Sequence, residues 1–424
     1  MNSKHFVSGL ALIQILIGTA FGQSSPNQNL LDSLIFYNQG IQAARSTYQS
    51  SQAAINASGV LPDPSLEITT SLAPIQTRNG PIDNQIMLGQ KFPLWGKLKR
   101  TRSIAELKAN IAWEKYQSAV VSTSFQMTKI WTDYLKLTRS LEILQQYSDE
   151  LDSFRKVALT HYSTGQGNTQ HPILKLQIEQ SLIQSKTNNL QSELDATIHQ
   201  LQALFDGHFS PEQFKQHWST FESTKTETEW LALADQVNPM LSVKRSQERI
   251  AVLMKELNQK MNHPDLMAGM TYSLVGSTDL GGAVESGKDA LGFKIGLNLP
   301  IWFKRNKARV QAAEITETAT QQSTAEAWNQ IQALVQSQIQ DLEEINQTYD
   351  LYQNRLLPES RQMLTSAYSA YETGKISFLD LLDSERMTIN VRLEFENVKA
   401  RRTIATAKLL SAVGLPASGE THAK

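Results

Sequence analysis

The same order of segments occurs twice along this chain, and this internal duplication most constrains the fold. In each copy a helical pattern leads to two strand-like runs, and a very long helical pattern with a glycine break follows them. We assign residues 23–207 to the first copy and 238–414 to the second. Residues 208–237 form a polar linker without a clear register, and 415–424 a disordered tail. The duplication predicts one extended object built from two similar units.

Short motifs recur at matching places in the two copies. A Pro-Asp pair precedes the first strand of each copy, and a Pro-x-Trp-x-Lys motif follows the second strand. The motif differs in residue class only at Gly96, which Phe303 replaces in the second copy. We predict a strand–helix junction at these motifs, formed by Pro62, Pro93, Trp95, Gly96, Pro264, Pro300 and Trp302. We interpret the two tryptophans as packing residues of the junction, with an aromatic belt at a membrane interface as the alternative.

Four runs predict β-strands in two pairs, at residues 66–72, 82–92, 266–275 and 291–299. In three of them apolar side chains alternate with polar or small ones, whereas residues 82–92 alternate poorly. Alternation over roughly ten residues is typical of a transmembrane barrel strand, and equally of a half-buried strand in a soluble sheet. The strands alone leave both interpretations open.

Each long helical pattern has about 65 residues and would extend roughly 100 Å. In the second copy, apolar residues three or four positions apart run from Trp328 to Leu356, with Ile339 where strict alternation would reach Gln338. Pro358 interrupts this pattern, and we interpret it as a kink, with a hinge as the alternative. A globular domain cannot bury a seam of this length, so the helices predict a tube or a rod.

Composition excludes several function classes. Lys and Arg number 40 against 41 Asp and Glu, so no basic surplus indicates a nucleic-acid partner. The absence of cysteine excludes disulfides, thiolate metal sites and a lipid anchor on an N-terminal cysteine. The eight histidines show no ligand spacing, and no nucleophile constellation or phosphate-binding loop is present. We predict no enzyme activity, no cofactor and no resident metal.

Residues 1–22 predict a cleaved secretory signal peptide. Lys4 and His5 precede an apolar run of about 15 residues, and the small residues Ala20 and Gly22 supply a cleavage site. An uncleaved anchor helix is the alternative. No later apolar run reaches the roughly 18–20 residues of a membrane-spanning helix. Membrane contact by the mature chain would therefore use strands or a surface helix.

Export and four strands together indicate an assembly of several chains. Open strand edges in lipid leave backbone groups unpaired, and the smallest single-chain barrels use about eight strands. At this point the segments 62–64, 90–98, 297–302 and 371–383 resemble the TolC, or outer membrane factor, family. The likeness covers nearly all of the mature chain and rests on the order, spacing and duplication of the motifs.

The resemblance implies a mainly α fold with a small β part. Long coiled-coil helices would form a periplasmic α-barrel, closed at its far tip. Four antiparallel strands from each chain of a homotrimer would form one twelve-stranded β-barrel in the lipid of the outer membrane of a Gram-negative bacterium. A periplasmic adaptor (a membrane fusion protein) and an inner-membrane pump would load this passive exit channel.

The Pro-Leu-Trp-Gly-Lys turn and residues 165–170 resemble the branch of the family that works with RND-type heavy-metal pumps. That branch implies metal cations as substrates, although its lipoprotein members carry an N-terminal cysteine that this chain lacks. Two alternatives stay open. One is an exit channel of the same fold for drugs or for type I protein secretion. The other is a secreted coiled-coil rod without a channel, which would need no paired amphipathic strands.

The resemblance also implies functional residues at the periplasmic tip. Asp380, Asp383 and Tyr371 match positions at the tunnel aperture, whereas Ile376 occupies the place of a basic gating residue. For the aspartates, an ordinary helix start that favours carboxylates is the alternative.

The tip turns, which would contact the adaptor, contain Gly165, Gly167, Gly374 and Lys375. His171 aligns with Asp380 across the duplication. We interpret it as a solvated helix-start residue rather than a metal ligand or a pH sensor.

Overall fold

The computed structural model describes residues 26–163, 170–211, 225–279 and 285–417. The predicted signal peptide and the tip glycines Gly165 and Gly167 lie outside these ranges. Within them the chain is mostly helical and carries one four-stranded antiparallel sheet, as predicted. None of the helices in the described ranges combines the length and the apolar character needed to cross a bilayer.

The element order repeats between the two copies. The first copy contains α1 (Pro26–Tyr37), α2 (Gln39–Asn56), β1 (Ser65–Thr77), β2 (Gly80–Phe92), α3 (Lys97–Ser163) and α4 (His171–Leu204). The second contains α5 (Glu227–Val237), α6 (Pro239–Lys260), β3 (Leu266–Val275), β4 (Ala290–Leu297), α7 (Phe303–Leu351), α8 (Leu357–Glu372) and α9 (Phe378–Val413). A π-helical turn, Tyr352–Leu356, joins α7 to α8.

Helix α5 lies within residues 208–237, where the sequence showed no register. A capping box starts it: the Glu229 N–H donates to the Thr226 hydroxyl, and the Thr226 N–H donates to the Glu229 carboxylate. Trp230 and Ala234 are buried against α7 and α9. Only 11 residues form this helix, so its apolar period was too short to stand out in the sequence.

An asparagine joins the short and long helices in the same way in both copies. Asn38 caps α2 with its side-chain oxygen, and its amide donates to the Leu204 carbonyl at 2.9 Å. Asn238 caps α6 and donates to the Ala412 carbonyl at 2.9 Å. Leu204 and Ala412 lie at the ends of α4 and α9, so the same contact closes each copy at the same place.

The sheet has the order β1-β2-β3-β4, and neighbouring strands are antiparallel. The bounds of β3 agree with the prediction. β1 extends five residues beyond its predicted end, with a register shift between Thr70 and Ile75, and β4 ends at Leu297 rather than at the predicted residue 299.

The long helices bury the predicted seams. α3 has 67 residues, or roughly 100 Å at 1.5 Å per residue. Its buried positions include Val120, Met127, Leu137, Leu144 and Leu151. In α7 both Ile331 and Val335 are buried, and so is Gln338, beside the half-buried Ile339. Pro358 is the second residue after the π turn. Because proline has no N–H to donate to the preceding turn, the wider π turn accommodates it.

Three apolar clusters hold the helices together. The first joins α1 to α4 around Leu34 and Leu201, and the second joins α5, α6, α7 and α9 around Leu241 and Val335. The third, around Leu144, lies between α3, α4 and α9. The first two occupy equivalent places in the two copies. The third contains residues of both copies and lies nearer to the predicted tip.

Candidate functional site

One face of the sheet is apolar across all four strands. Leu66 lies opposite Leu88, Leu88 opposite Met270, and Met270 opposite Phe293. A second row parallel to it consists of Ile68, Ile86, Tyr272 and Leu291. These side chains stay exposed, with Leu66 at 67% and Phe293 at 71%. Strand β2, whose alternation was poor in the sequence, therefore contributes Ile86 and Leu88 to the same apolar face.

The opposite face of the sheet carries mostly polar or very small residues, together with Met87 and Met267. Gly89 lies opposite Gly269, which in turn lies opposite Lys294. The Gln85 amide donates to the Ser273 hydroxyl at 3.1 Å across β2 and β3. The two faces therefore differ sharply in chemistry, as expected of a sheet between an apolar and an aqueous phase.

A buried ion pair fixes the junction between strands and helices. Lys97, at the start of α3, lies 2.6 Å from the carboxylate of Asp265, which precedes β3, and both are more than 90% buried. The Lys97 ammonium also donates to the His263 carbonyl at 2.8 Å, and the Leu94 N–H donates to Asp265 at 3.2 Å. Burial raises the pKa of Asp265. The hydrogen bonds from Lys97 and Leu94 and the charges of Lys97 and Lys91 lower this pKa by more than burial raises it, so the net shift is downward.

The predicted junction residues occupy the ends of the strands. The Trp95 indole donates to the Pro264 carbonyl at 2.8 Å, the Pro62 carbonyl accepts from Gln90, and the Pro300 carbonyl accepts from Asn306. Pro93 directly follows β2. Trp95 and Gly96 both have left-handed backbones, with φ of 65° and 75°.

The second turn differs from the first. Phe303 stands where the first copy has Gly96, and α7 begins at Phe303, one residue before Lys304. Trp302 is 64% exposed, and Leu299, Ile301 and Phe303 beside it are also exposed.

The tip turn between α8 and α9 closes around Gly374, whose φ of 70° is left-handed. The half-buried Tyr371 ring contacts the Phe378 ring edge-on at 5.9 Å, and Phe378 contacts Phe154 of α3 at 5.7 Å. Lys375 is exposed beyond this aromatic contact. The aromatic rings therefore hold the turn between α8 and α9 against α3.

Both predicted aperture aspartates are engaged within the chain. Asp380 forms a capping box with Ser377, accepting from its N–H at 3.0 Å and from its hydroxyl at 2.7 Å. These hydrogen bonds lower the pKa of Asp380. Asp383 is exposed and lies 3.3 Å from the Lys175 ammonium of α4. The helix-start alternative for Asp380 is thus realised in a single chain.

Sequence reasoning missed a buried acidic cluster above the tip. Glu385 of α9 is 2% exposed and lies within hydrogen-bond reach of Glu150 of α3 and Tyr368 of α8. Nearby, the buried Tyr147 hydroxyl donates to Glu179 of α4 at 3.2 Å. A glutamate on the buried side of α9, in the same helical rows as Leu381 and Ile389, was the available signal.

Among the described residues, no group of three or more His, Asp or Glu could hold a metal ion. His171 is the first residue of α4 and is exposed.

Comparisons with known proteins agree with this arrangement. Residues 235–415 match the family described as Outer membrane efflux protein. A search of curated proteins returned no match.

Solved outer-membrane channels share the fold. A membrane protein from Pseudomonas aeruginosa superimposes with a TM-score of 0.76 at 14% identity, covering 94% of this chain and 92% of its own. The Campylobacter jejuni CmeC outer membrane channel gives 0.73 at 14% identity, covering 94% and 87%. The open state of the Neisseria gonorrhoeae MtrE outer membrane channel gives 0.73 at 16% identity, covering 92% and 89%.

At these identities the superpositions establish a common fold over nearly the whole chain. The family match adds a sequence relationship for the second copy. The resemblance of the motifs is confirmed: residues 235–415 match the Outer membrane efflux protein family, and nearly the whole chain shares the fold of solved outer-membrane channels.

Proposed function

We propose that this protein is the outer-membrane exit channel of a tripartite efflux system. Three copies form one barrel from their sheets and one periplasmic tunnel from their helices. A periplasmic adaptor and an inner-membrane RND-type pump deliver the substrate, and the channel conducts it passively, without a chemical step.

The observation that carries this proposal is the sheet with one apolar and one polar face. Side chains such as Phe293 and Ile295 are about 70% exposed in the single chain. Exposed apolar area costs roughly 25 cal/mol per Å² in water, so lipid is the favourable surrounding for this face. The polar face, with Lys294 and its glycines, suits a water-filled lumen.

Strand edges support a closed assembly of several chains. Within the described residues, β1 and β4 each pair with one neighbour only. Unpaired backbone groups cost several kcal/mol each in lipid, so both edges need a partner strand.

At the tip, we assign the aperture to Asp380, Asp383 and Tyr371, and the adaptor contact to the turns at Gly374 and Lys375 and at Gly165 and Gly167. The exposed carboxylate of Asp383 and the position of both aspartates just beyond the Gly374 turn support this assignment. Threefold repetition around an axis would give rings of negative charge that attract cations.

Metal cations are the proposed substrates, on the strength of the Pro-Leu-Trp-Gly-Lys turn and residues 165–170, which resemble the heavy-metal branch. Drug efflux and type I protein secretion use the same fold and would differ in the pump partner. The cargo therefore has to be tested separately from the channel.

Fractionation and assembly test the channel itself. The mature protein should sediment with outer membranes, run as a trimer in mild detergent and form cation-conducting pores in planar bilayers. A monodisperse monomer that is stable without detergent would end the channel proposal.

A further inference from the structure

The duplication provides two Lys–Asp pairs for the strand–helix junction, but only one of them is in contact within the chain. Between the copies, Lys97 at the end of the first strand pair meets Asp265 at the start of the second pair. By the duplication, the counterpart of Lys97 is Lys304, and the counterpart of Asp265 is Asp63. These two residues lie at the outer edges of the sheet, Asp63 before β1 and Lys304 after β4.

Neither counterpart has the partner that its equivalent has. Asp63 and Lys304 are both exposed and make no ion pair within the part of the chain that the structure describes. Trp95 and Trp302 are both exposed, at 54% and 64%, and the Trp95 indole donates to the Pro264 carbonyl across the filled junction. The half-junctions at the two edges are therefore complementary and unfilled.

The strand directions allow a second molecule of this chain to pair with each free edge of the sheet. In an antiparallel sheet of four strands β1 and β4 run in opposite directions, so β4 of one copy can pair with β1 of another and continue the antiparallel pattern. Charge favours the same arrangement. Glu67 is the charged residue of β1, and Lys294 is that of β4, both on the polar face.

We propose that Lys304 of one copy binds Asp63 of the next copy, and that this intersubunit ion pair repeats the Lys97–Asp265 contact and sets the register between β4 and β1. The occupant of each sheet edge is thus a second copy of this chain. The inference rests on the assembly proposed above and deepens it by naming the contact that joins the subunits.

The equivalence fixes the register. Within the chain, Gln90 lies opposite Ala268 and Leu88 opposite Met270. Transferring these pairs by the junction motifs places Leu297 opposite Leu66 and Ile295 opposite Ile68 of the next copy. Apolar side chains then meet apolar ones across the boundary.

On the polar face the same register places Glu67 opposite Gly296. Lys294 then lies two residues away, at the diagonal distance that long side chains bridge. Gly296 has no side chain and leaves room for that contact, because the nearest neighbour for an added Cβ is Met267 at 3.7 Å.

The turn at Phe303 alters one detail. The left-handed conformation of Gly96 is unfavourable for Phe303, and α7 accordingly starts earlier than α3 relative to the conserved lysine. Lys304 lies inside the first turn of α7, and its flexible four-carbon chain reaches outward from there.

Cysteine cross-linking tests the register directly, since the natural chain has no cysteine. Two double variants serve as negative controls. In Leu66→Cys with Ile295→Cys the two cysteines are displaced by two residues, and in Leu66→Cys with Gly296→Cys they lie on opposite faces of the sheet. Only Leu66→Cys with Leu297→Cys should oxidise efficiently to covalent dimers and trimers in isolated outer membranes. Leu88→Cys with Met270→Cys is the positive control. These residues lie opposite each other within one chain, so they should form an intramolecular disulfide and no covalent dimers or trimers.

Charge reversal tests the ion pair. Asp63→Lys and Lys304→Glu should each reduce the yield of detergent-resistant trimer several-fold, and the double variant should restore most of it. Lys186→Glu, a reversal at an exposed lysine of α4, should leave the yield unchanged.

The outcomes separate the two proposals. Trimers that lack the Leu66–Leu297 cross-link, or a double reversal without rescue, would overturn the junction while leaving the channel intact. A protein that is monomeric in mild detergent and absent from outer membranes would overturn both.

Discussion

Glu385 lies buried in α9 and faces ionisable groups on several packed elements. Glu150 of α3 and Tyr368 of α8 are within hydrogen-bond reach, Arg392 lies further along α9, and the Tyr147–Glu179 pair connects it to α4. Burial, and then the hydrogen bond and like charge of Glu150, raise the pKa of Glu385 to about 8, against a lowering by Arg392 and Tyr368. The carboxyl group is therefore protonated at neutral pH.

This pKa predicts how stability depends on pH. The folded protein keeps a proton that the unfolded chain releases above a pKa of 4.5, so the free energy of unfolding should fall as pH rises from about 4.5 to about 8. Glu385→Gln, which is neutral at every pH, should flatten this dependence in thermal unfolding at pH 5 and pH 8.5. The exposed Glu343→Gln serves as the control. Equal slopes for wild type and Glu385→Gln would show that another group titrates in this window.

The tip aspartates give a second prediction at the residue scale. Asp380→Ala with Asp383→Ala should weaken block by divalent and trivalent cations in planar-bilayer recordings, because the proposed rings lose their charge. Lys175→Ala should strengthen the block, since Lys175 partly neutralises Asp383 at 3.3 Å.

Two controls separate charge from helix capping. Ser377→Ala breaks the capping box, at a cost of about 0.5–2 kcal/mol in stability, but keeps both carboxylates. It should leave the block unchanged, as should Glu343→Ala; Glu344 is a poorer control because it lies 3.8 Å from Arg401. Wild-type block in the double aspartate variant would mean that the aspartates only start the helix.

At the scale of elements, β4 offers a matched test of the two sheet faces. Phe293→Lys or Ile295→Lys puts a charge on the apolar face and should block membrane insertion, at roughly 2–4 kcal/mol for each of three copies. Gly292→Lys, on the opposite face of the same strand, should insert, because its charge faces the proposed lumen and its Cβ has only the Thr271 carbonyl oxygen nearby, at 3.9 Å. Equal insertion would show that the face assignment is wrong.

Asn298 is unsuitable as the polar-face control, although its alternation in sequence suggested it. It lies beyond the end of β4, and its side-chain oxygen accepts a hydrogen bond from the Asp265 N–H at the junction. A substitution there would disturb the ion pair of Asp265 with Lys97 as well as the strand.

The long helices test the shared core. Leu144 and Leu151 of α3 are fully buried in the cluster that joins α3, α4 and α9. Leu144→Ala should lower stability by about 2–5 kcal/mol in denaturant unfolding. Leu182→Ala, at a position of α4 that is 54% exposed, should cost far less. If Leu182→Ala lowered stability as much as Leu144→Ala, the face of α4 that carries Leu182 would have to be buried rather than exposed.

At the scale of the whole molecule, the cargo decides which efflux system the channel serves. Deleting the gene should raise sensitivity to metal cations such as zinc, copper or silver, and expression of the wild-type chain should restore resistance. Phe293→Lys, which should not insert, is the control for expression without a channel. Unchanged metal tolerance together with new sensitivity to drugs would move the protein to the drug-efflux alternative.

The duplication, the strand pairs and the length of the helices could all be predicted from the sequence. Local periodicity encodes these features: the bounds of β3 and the seam from Val120 to Leu151 followed from side-chain spacing alone. The motif order was also enough to indicate the resemblance to outer membrane efflux proteins that residues 235–415 confirm. Helix α5, the equivalent roles of Asn38 and Asn238, and the sheet face of β2 were out of reach, because each depends on a partner far along the chain.

Which polar groups meet became clear from the folded chain alone. The Lys97–Asp265 ion pair joins residues 168 positions apart, and the buried Glu385 faces Glu150 across two long helices. No spacing rule connects such residues, because their proximity results from the packing of whole helices and strands. The fold also places Asp63 and Lys304 at opposite edges of the sheet, where neither makes an ion pair with any residue that the structure describes, because a repeat of two units leaves one half-junction at each end.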